Sequence, residues 1–338
     1  MTIVAAVFVD MFNAEQRGPA TTIFSINVLM APMIAPFIGG FIVGSPLGWR
    51  WTAWLGAIMG FTALTIVLFL LEETYAPKIL ESKAQVLRRT TGNWALHSVS
   101  EEATLDMRQL LTEYLSRPLR LLFTEPLVFL VSIYLAFIYG LVYLFLTAYP
   151  LVFSGVHGMK PGVSGLPYLA MVIGMLIAAT YLLLIQPSFK RKMTANHNKV
   201  VPEWRLPPAI IGSCTFAAGI LMLGWTGYRS NIHWIFPTLS GLLTGFGVMA
   251  IFQQLLNYLF DTYFPVAASV NAGASVIRSL FGACFPLFAS QMFASLGINY
   301  ACTVLSGIAA LCIPIPVAFY FWGPKLRARA KLGISPKI

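Results

Sequence analysis

With 58% hydrophobic and only 10% charged residues over 338 positions, and a mean hydropathy of +0.77, the chain falls outside the soluble range, where about a quarter of residues are charged. Its net charge of +10 gathers in alternate loops, which excludes a nucleic-acid surface and fits a polytopic all-α membrane protein with a basic cytoplasmic side. Eight apolar runs approach or exceed the roughly 20 residues of a bilayer crossing: about 19–43, 51–71, 126–150, 163–186, 208–227, 233–258, 270–294 and 299–322.

In chain order, Met1 to Phe12 is apolar but too short to span and lacks the basic start of a signal peptide. It reads as the tail of a helix that begins upstream, or as a short arm. The first span contains Thr22 to Gly40, in which Ala31, Ala35 and Gly39 recur every four positions on one face. Such ladders of small residues let helix backbones approach closely in lipid, so this face is expected to meet another helix. Pro32 and Pro36 each remove a backbone bond and predict a bend. Trp49 and Trp51 sit where an interface would hold them at the start of the second span. Residues 72–124 are polar and of both charge signs, and read as a central cytoplasmic linker.

The third span opens at Glu125-Pro126 and carries Tyr139 and Tyr143, four apart on one face. These fit either packing with locally satisfied hydroxyls or the lining of a cavity. A basic loop ends in Pro202-Glu203-Trp204-Arg205-Leu206-Pro207. The sixth span holds Gln253 and Asn257 on one face, with Gln254, Tyr258 and Asp261 on the next. Amides at membrane depth are costly unless bonded, so Gln253 and Asn257 are candidates for a cavity wall. Arg278 is the one basic residue inside a predicted span, where insertion costs about 2.5–3.5 kcal/mol, which makes it a candidate for a structural or a substrate role. Asp261 is its sequence-near partner if Arg278 lies close to the cytoplasmic end.

The segment Thr22 to Gly40 resembles the antiporter signature in the fifth helix of drug:proton antiporters of the major facilitator superfamily: Gly, eight residues, Gly, three residues, Gly-Pro, two residues, Gly-Gly. The spacing holds; Thr22, Ala31 and Ala35 replace glycines, while Pro36, Gly39 and Gly40 match. The phrases Gly48-Trp49-Arg50-Trp51, Glu73-Thr74-Tyr75-Ala76-Pro77 and Pro202 to Pro207 resemble the fungal branch. The resemblance implies family helices five to twelve. That gives a remnant of the N-terminal bundle over 1–71, the linker 72–124, a C-terminal six-helix bundle over 125–323 and a basic tail over 324–338. It further implies alternating access, a small amphipathic organic substrate such as a drug, toxin, secondary metabolite or polyamine, and a proton gradient as the energy source.

No catalytic or metal-ligand spacing stands out around His97, His157, His197 and His233, and no GxxxxGK[ST] phosphate loop is present. An enzyme and a cofactor are therefore not expected. Cys214, Cys284, Cys302 and Cys312 read as small apolar fillers. Glu125 and Asp261 are the carboxylates nearest the membrane, better read as fixed or capping charges than as proton sites. The charge asymmetry places both chain ends in the cytoplasm; the expected location is the plasma membrane. A chain that lacks its first four helices is expected not to transport alone; the alternative to a transporter is a non-transporting partner of a full-length one.

Overall fold

The computed structural model describes residues 7, 11–12, 14–99, 101, 116–160, 162–197, 200–263 and 266–329. Most of Met1 to Phe12, the linker stretch 102–115 and the tail beyond Arg329 lie outside the described residues. Helices and turns make up the described residues, with no strand among them. The helices are α1 (Ala14–Val43), α2 (Arg50–Leu70), α3 (Ala76–Thr91), α4 (Arg117–Thr124), α5 (Pro126–Pro150), α6 (Tyr168–Ala195), α7 (Leu206–Gly227), α8 (Ile235–Thr262), α9 (Ala267–Cys312) and α10 (Pro314–Arg329).

Lipid offers no partner for a backbone N–H or C=O, so each crossing must close its own hydrogen bonds as a helix. Seven helical stretches among the described residues are long and apolar enough to cross, and the last of them, Ala267–Arg327, covers 61 residues. At about 1.5 Å per residue that stretch is some three times too long for one crossing. Gly297 resolves it: with φ 75° and ψ 163° it occupies a backbone region open in practice only to glycine, and the helix folds back there. Contacts confirm the reversal. Before the turn, Gly273 lies against Pro118 and Gly282 against Tyr139; after it, Cys302 meets Gly224, Ser306 bonds to the Ala217 carbonyl and Arg327 reaches Glu203. The eight expected crossings are therefore present, two of them joined by a single residue.

α5 to α10 pack around one core that includes Tyr134, Phe145, Tyr168, Phe216, Leu255 and Phe319. The α6–α8 contact is the tightest, because Gly174 and Gly245 bring backbone against backbone; a Cβ on Gly245 would collide with the Met171 carbonyl. Residues 117–124, counted with the linker from sequence, form α4, whose Leu121 and Leu122 are buried. Cys214 and Cys284 lie on the outer surface, whereas Cys302 is a buried filler.

α1 runs unbroken through Pro19, Pro32 and Pro36 and packs on α6, the 3-10 turn Val163–Gly165 and α8. The face expected to pack does not. Ala31 and Ala35 are exposed, and a Cβ on Gly39 would meet nothing within 4 Å. α1 uses the stripe of Thr22, Ser25, Leu29 and Met33 instead, all buried. The reason is that a four-residue ladder marks a face able to pack closely without naming its neighbour. The helices around α1 here lie on its other side. α2 goes further, with no buried residue at all.

Candidate functional site

Two rows of polar side chains meet where α1 and α8 cross near the end of the molecule that carries Lys190, Arg205 and Arg327. On α8, Gln253 and Asn257 are one turn apart; on α1, Thr21 and Ser25 are likewise one turn apart. The helices bring the rows together in antiparallel register. Ser25 Oγ donates to Gln253 Oε1 at 2.6 Å, and Gln253 Nε2 donates to Thr21 Oγ1 at 2.9 Å and Thr22 Oγ1 at 3.1 Å. Thr21 Oγ1 lies 3.2 Å from Asn257 Oδ1. The threonines also donate back to the Gly18 carbonyl, at 2.9 and 2.8 Å, which fixes their rotamers on the first turns of α1.

The result is a dry polar clasp. Gln253 is fully buried and Asn257 is 4% exposed, so in this conformation they form a helix-to-helix contact rather than an open cavity wall. The physical reason is that hydroxyls on α1 supply the partners that water would otherwise supply. Sequence reading identified the amides but missed Thr21 and Ser25. Their signal was the matching four-residue spacing on two helices.

The second group lies deeper, between α5, α8 and α9. The Arg278 guanidinium sits 5.4 Å from the Tyr139 ring centroid and 5.3 Å from that of Phe252, and Nη2 donates to Ser275 Oγ at 2.9 Å. Two aromatic faces and a hydroxyl are a reasonable setting for a cation removed from water. Tyr139 and Tyr143 place their hydroxyls 3.2 Å apart and their ring centroids 4.9 Å apart, and both are half-buried. Three of the sequence candidates thus gather in one place, and Phe252, which precedes Gln253 on α8, joins that place to the clasp.

The expected pairing of Asp261 with Arg278 does not occur. Asp261 is engaged by the Nε of Arg205, whose guanidinium also covers the Phe189 ring at 4.3 Å. A second buried pair is bidentate: Arg327 donates through Nε to Glu203 Oε1 at 2.9 Å and through Nη2 to Oε2 at 2.8 Å. Both pairs tie the turn Pro202–Arg205 to elements far away in sequence. Glu125 is 2% exposed and accepts the Tyr263 hydroxyl at 3.0 Å. Burial and the adjoining Glu125 charge raise the Tyr263 phenol well above its ordinary value, so it stays a donor.

Of the antiporter-helix residues, Thr22 joins the clasp, the Pro36 carbonyl approaches Gly165, and the Gly40 carbonyl accepts the Gly44 N–H at 3.2 Å. Ala31, Ala35 and Gly39 remain on the uncovered side. Among the described residues no cluster of three or more His, Cys, Asp or Glu side chains could hold a metal.

Comparison with known proteins agrees with the all-helical membrane fold. The sequence profile of the Major Facilitator Superfamily matches residues 1–286. A "Major facilitator superfamily multidrug transporter FLU1" of Candida albicans is 47% identical over 333 residues, covering 98% of this chain and 55% of the relative. A "Multidrug transporter TPO1_2" of Candida glabrata is 40% identical over 336 residues, 99% of this chain and 58% of the relative. An "Uncharacterized transporter C36.01c" of Schizosaccharomyces pombe is 46% identical over 332 residues, 98% of this chain and 57% of the relative. The chain thus spans between half and two thirds of the length of these curated relatives.

Proposed function

Since the chain belongs to the major facilitator superfamily and is an integral membrane protein, we propose that it serves secondary-active efflux of amphipathic organic compounds by alternating access coupled to proton antiport. The observation that carries this reading is the clasp between α1 and α8. Interhelical bonds of this kind average about 0.6 kcal/mol each in membranes, so the three made by Gln253 amount to roughly 2 kcal/mol. A contact that weak, made of groups equally content with water, can part and re-form with modest help from a ligand or a proton. When it parts, Gln253 and Asn257 would border an aqueous path.

The substrate wall is assigned to Tyr139, Tyr143, Phe252 and Arg278, whose mixture of rings and one cation suits amphipathic molecules better than sugars. The two relatives named as multidrug transporters support that class. Neither Glu125 nor Asp261 is assigned the coupling proton, because Tyr263 and Arg205 already engage them. The loop charges support a cytoplasmic basic end, and residence in the plasma membrane is part of the same proposal. The division into a two-span N-terminal portion, a linker, a six-helix bundle and a tail is part of the same proposal.

The test is uptake of a labelled amphipathic dye into inverted vesicles under an imposed pH gradient. Uptake that collapses with a protonophore supports antiport; uptake indifferent to the gradient overturns it. A second reading, a chain without transport of its own that works beside a longer relative, is favoured by the bare α2 and the uncovered Ala31 and Ala35. Dye export that requires co-expression of such a relative would select it.

A further inference from the structure

α3 is a helix with its own punctuation that packs on no helix of the bundle among the described residues. Pro77 stands in its first turn, Gly92 closes it at φ 67°, Arg88 and Arg89 occupy its last turn, and none of its residues is buried. A 16-residue helix is marginal in water without tertiary support, so its amphipathic pattern calls for a surface. Ile79, Leu80, Ala84, Val86 and Leu87 fall on one side of the helix; Leu80 is 58% exposed, Val86 61% and Leu87 49%. Leu80, Ala84 and Leu87, with Tyr75, Leu96 and Val99, line an open and mostly apolar groove of about 670 Å³ into which Lys83 also faces.

The other side is basic. It carries Lys78, Arg88 and Arg89 with Glu81, while Lys83 stands within the apolar side, where a long stem lets its ammonium reach outward; together the five leave α3 a net charge of 4 − 1 = +3. Lys78 is paired with Glu81 and Arg88 with Glu101, while Lys83 and Arg89 make no ion pair among the described residues. Position along the chain supplies the last constraint. α2 ends at Leu70 and α3 begins at Ala76, so the intervening residues 71–75 keep the start of α3 within about 17–20 Å of the end of a membrane-length apolar helix. The headgroup layer, about 5–8 Å deep on each side, is within that reach.

We propose that α3 lies in the plane of the cytoplasmic leaflet, with Leu80, Val86 and Leu87 among the acyl chains and its basic side against anionic headgroups. Apolar burial alone would hold it to any bilayer; the charge makes the attachment dependent on anionic lipid. The linker is thereby a membrane-bound segment whose hold on the bilayer follows lipid composition, independently of which substrate the protein carries.

The experiment uses the full chain with Cys214, Cys284, Cys302 and Cys312 replaced by alanine and a single fluorophore at Leu87→Cys or Gln85→Cys, on opposite sides of α3. In vesicles of phosphatidylcholine with about 30% phosphatidylserine, brominated lipid should quench the label at 87 and spare that at 85. Lys83→Gln and Arg89→Gln should each lower the docked-to-undocked ratio by about 5-fold, and neutral vesicles should lower it further. Equal quenching at both positions, or the same one-sided quenching in neutral lipid, overturns the proposal. So does a photo-crosslinker at 87 that captures the chain itself instead of lipid.

Discussion

α2 and α5 are both unbroken apolar helices of membrane length, yet α2 buries no residue while α5 buries most of its 25. The difference lies in which helices stand beside each run. α5 carries Gly140, Tyr134, Tyr139, Tyr143 and Tyr149, and its tyrosines reach other helices: Tyr134 donates to Ser213 Oγ at 2.8 Å, and Tyr149 stacks on Tyr168 at 4.6 Å between centroids. α2 has Gly56 and Gly60 at close-packing spacing, but nothing lies within 4 Å of where their Cβ would be, and Thr62 and Thr65 bond back to its own carbonyls. Hydropathy decides that a segment crosses; small residues permit close packing without supplying the neighbour.

The contrast is most sharply tested at the Glu203–Arg327 pair, which pins the last helix to the bundle. Glu203→Ala should destabilise the bundle by about 3–5 kcal/mol, because it leaves a buried guanidinium without its carboxylate. Thermal unfolding of the purified protein in detergent, followed by loss of its monodisperse elution peak, would read this. A loss below about 1 kcal/mol would mean the pair is peripheral.

Next in size is the clasp. Gln253→Leu keeps the volume and removes three bonds, which should cost roughly 2 kcal/mol of the α1–α8 contact. The measurement is the distance between spin labels on the ends of α1 and α8: a new, longer population is expected, and an unchanged distribution would show that apolar contacts at Leu29 and Met33 hold α1 unaided.

A smaller effect is expected with pH. The Tyr263 phenol is raised in the folded protein by burial and by Glu125, while unfolded it titrates near the ordinary value of about 10. The unfolded chain therefore gains charge first as pH rises, and stability present below about pH 10 declines above it. Tyr263→Phe should remove that part of the slope in a comparison of unfolding at pH 8 and pH 11. The smallest effect belongs to α2, where Phe61→Ala and Phe69→Ala should change stability by no more than about 0.5 kcal/mol. A cost above about 2 kcal/mol would erase the contrast between the two regions.

Much of this architecture was legible in advance. Run length located all eight crossings, and the antiporter-like spacing at Thr22 to Gly40 with the Pro202 to Pro207 phrase pointed to the family later matched over residues 1–286. What escaped was partner choice. Arg327 and Glu203 are 124 positions apart, and Arg205 and Asp261 56 apart, so nothing local distinguishes a buried pair from a charged loop and a basic tail. The same limit inverted the reading of α1, where periodicity identified a close-packing face and the structure filled the other one. Gln253 and Asn257 were recognisable as groups that need partners. Whether water or Thr21 and Ser25 would supply them depends on how two distant helices cross.

The turn at Gly297 has a consequence for biosynthesis. With a single residue between two crossings, there is no loop to thread through the membrane ahead of the second limb, and the limbs must enter the bilayer as a preformed hairpin. A protease or an antibody approaching from that side would find no loop between these two limbs to grip.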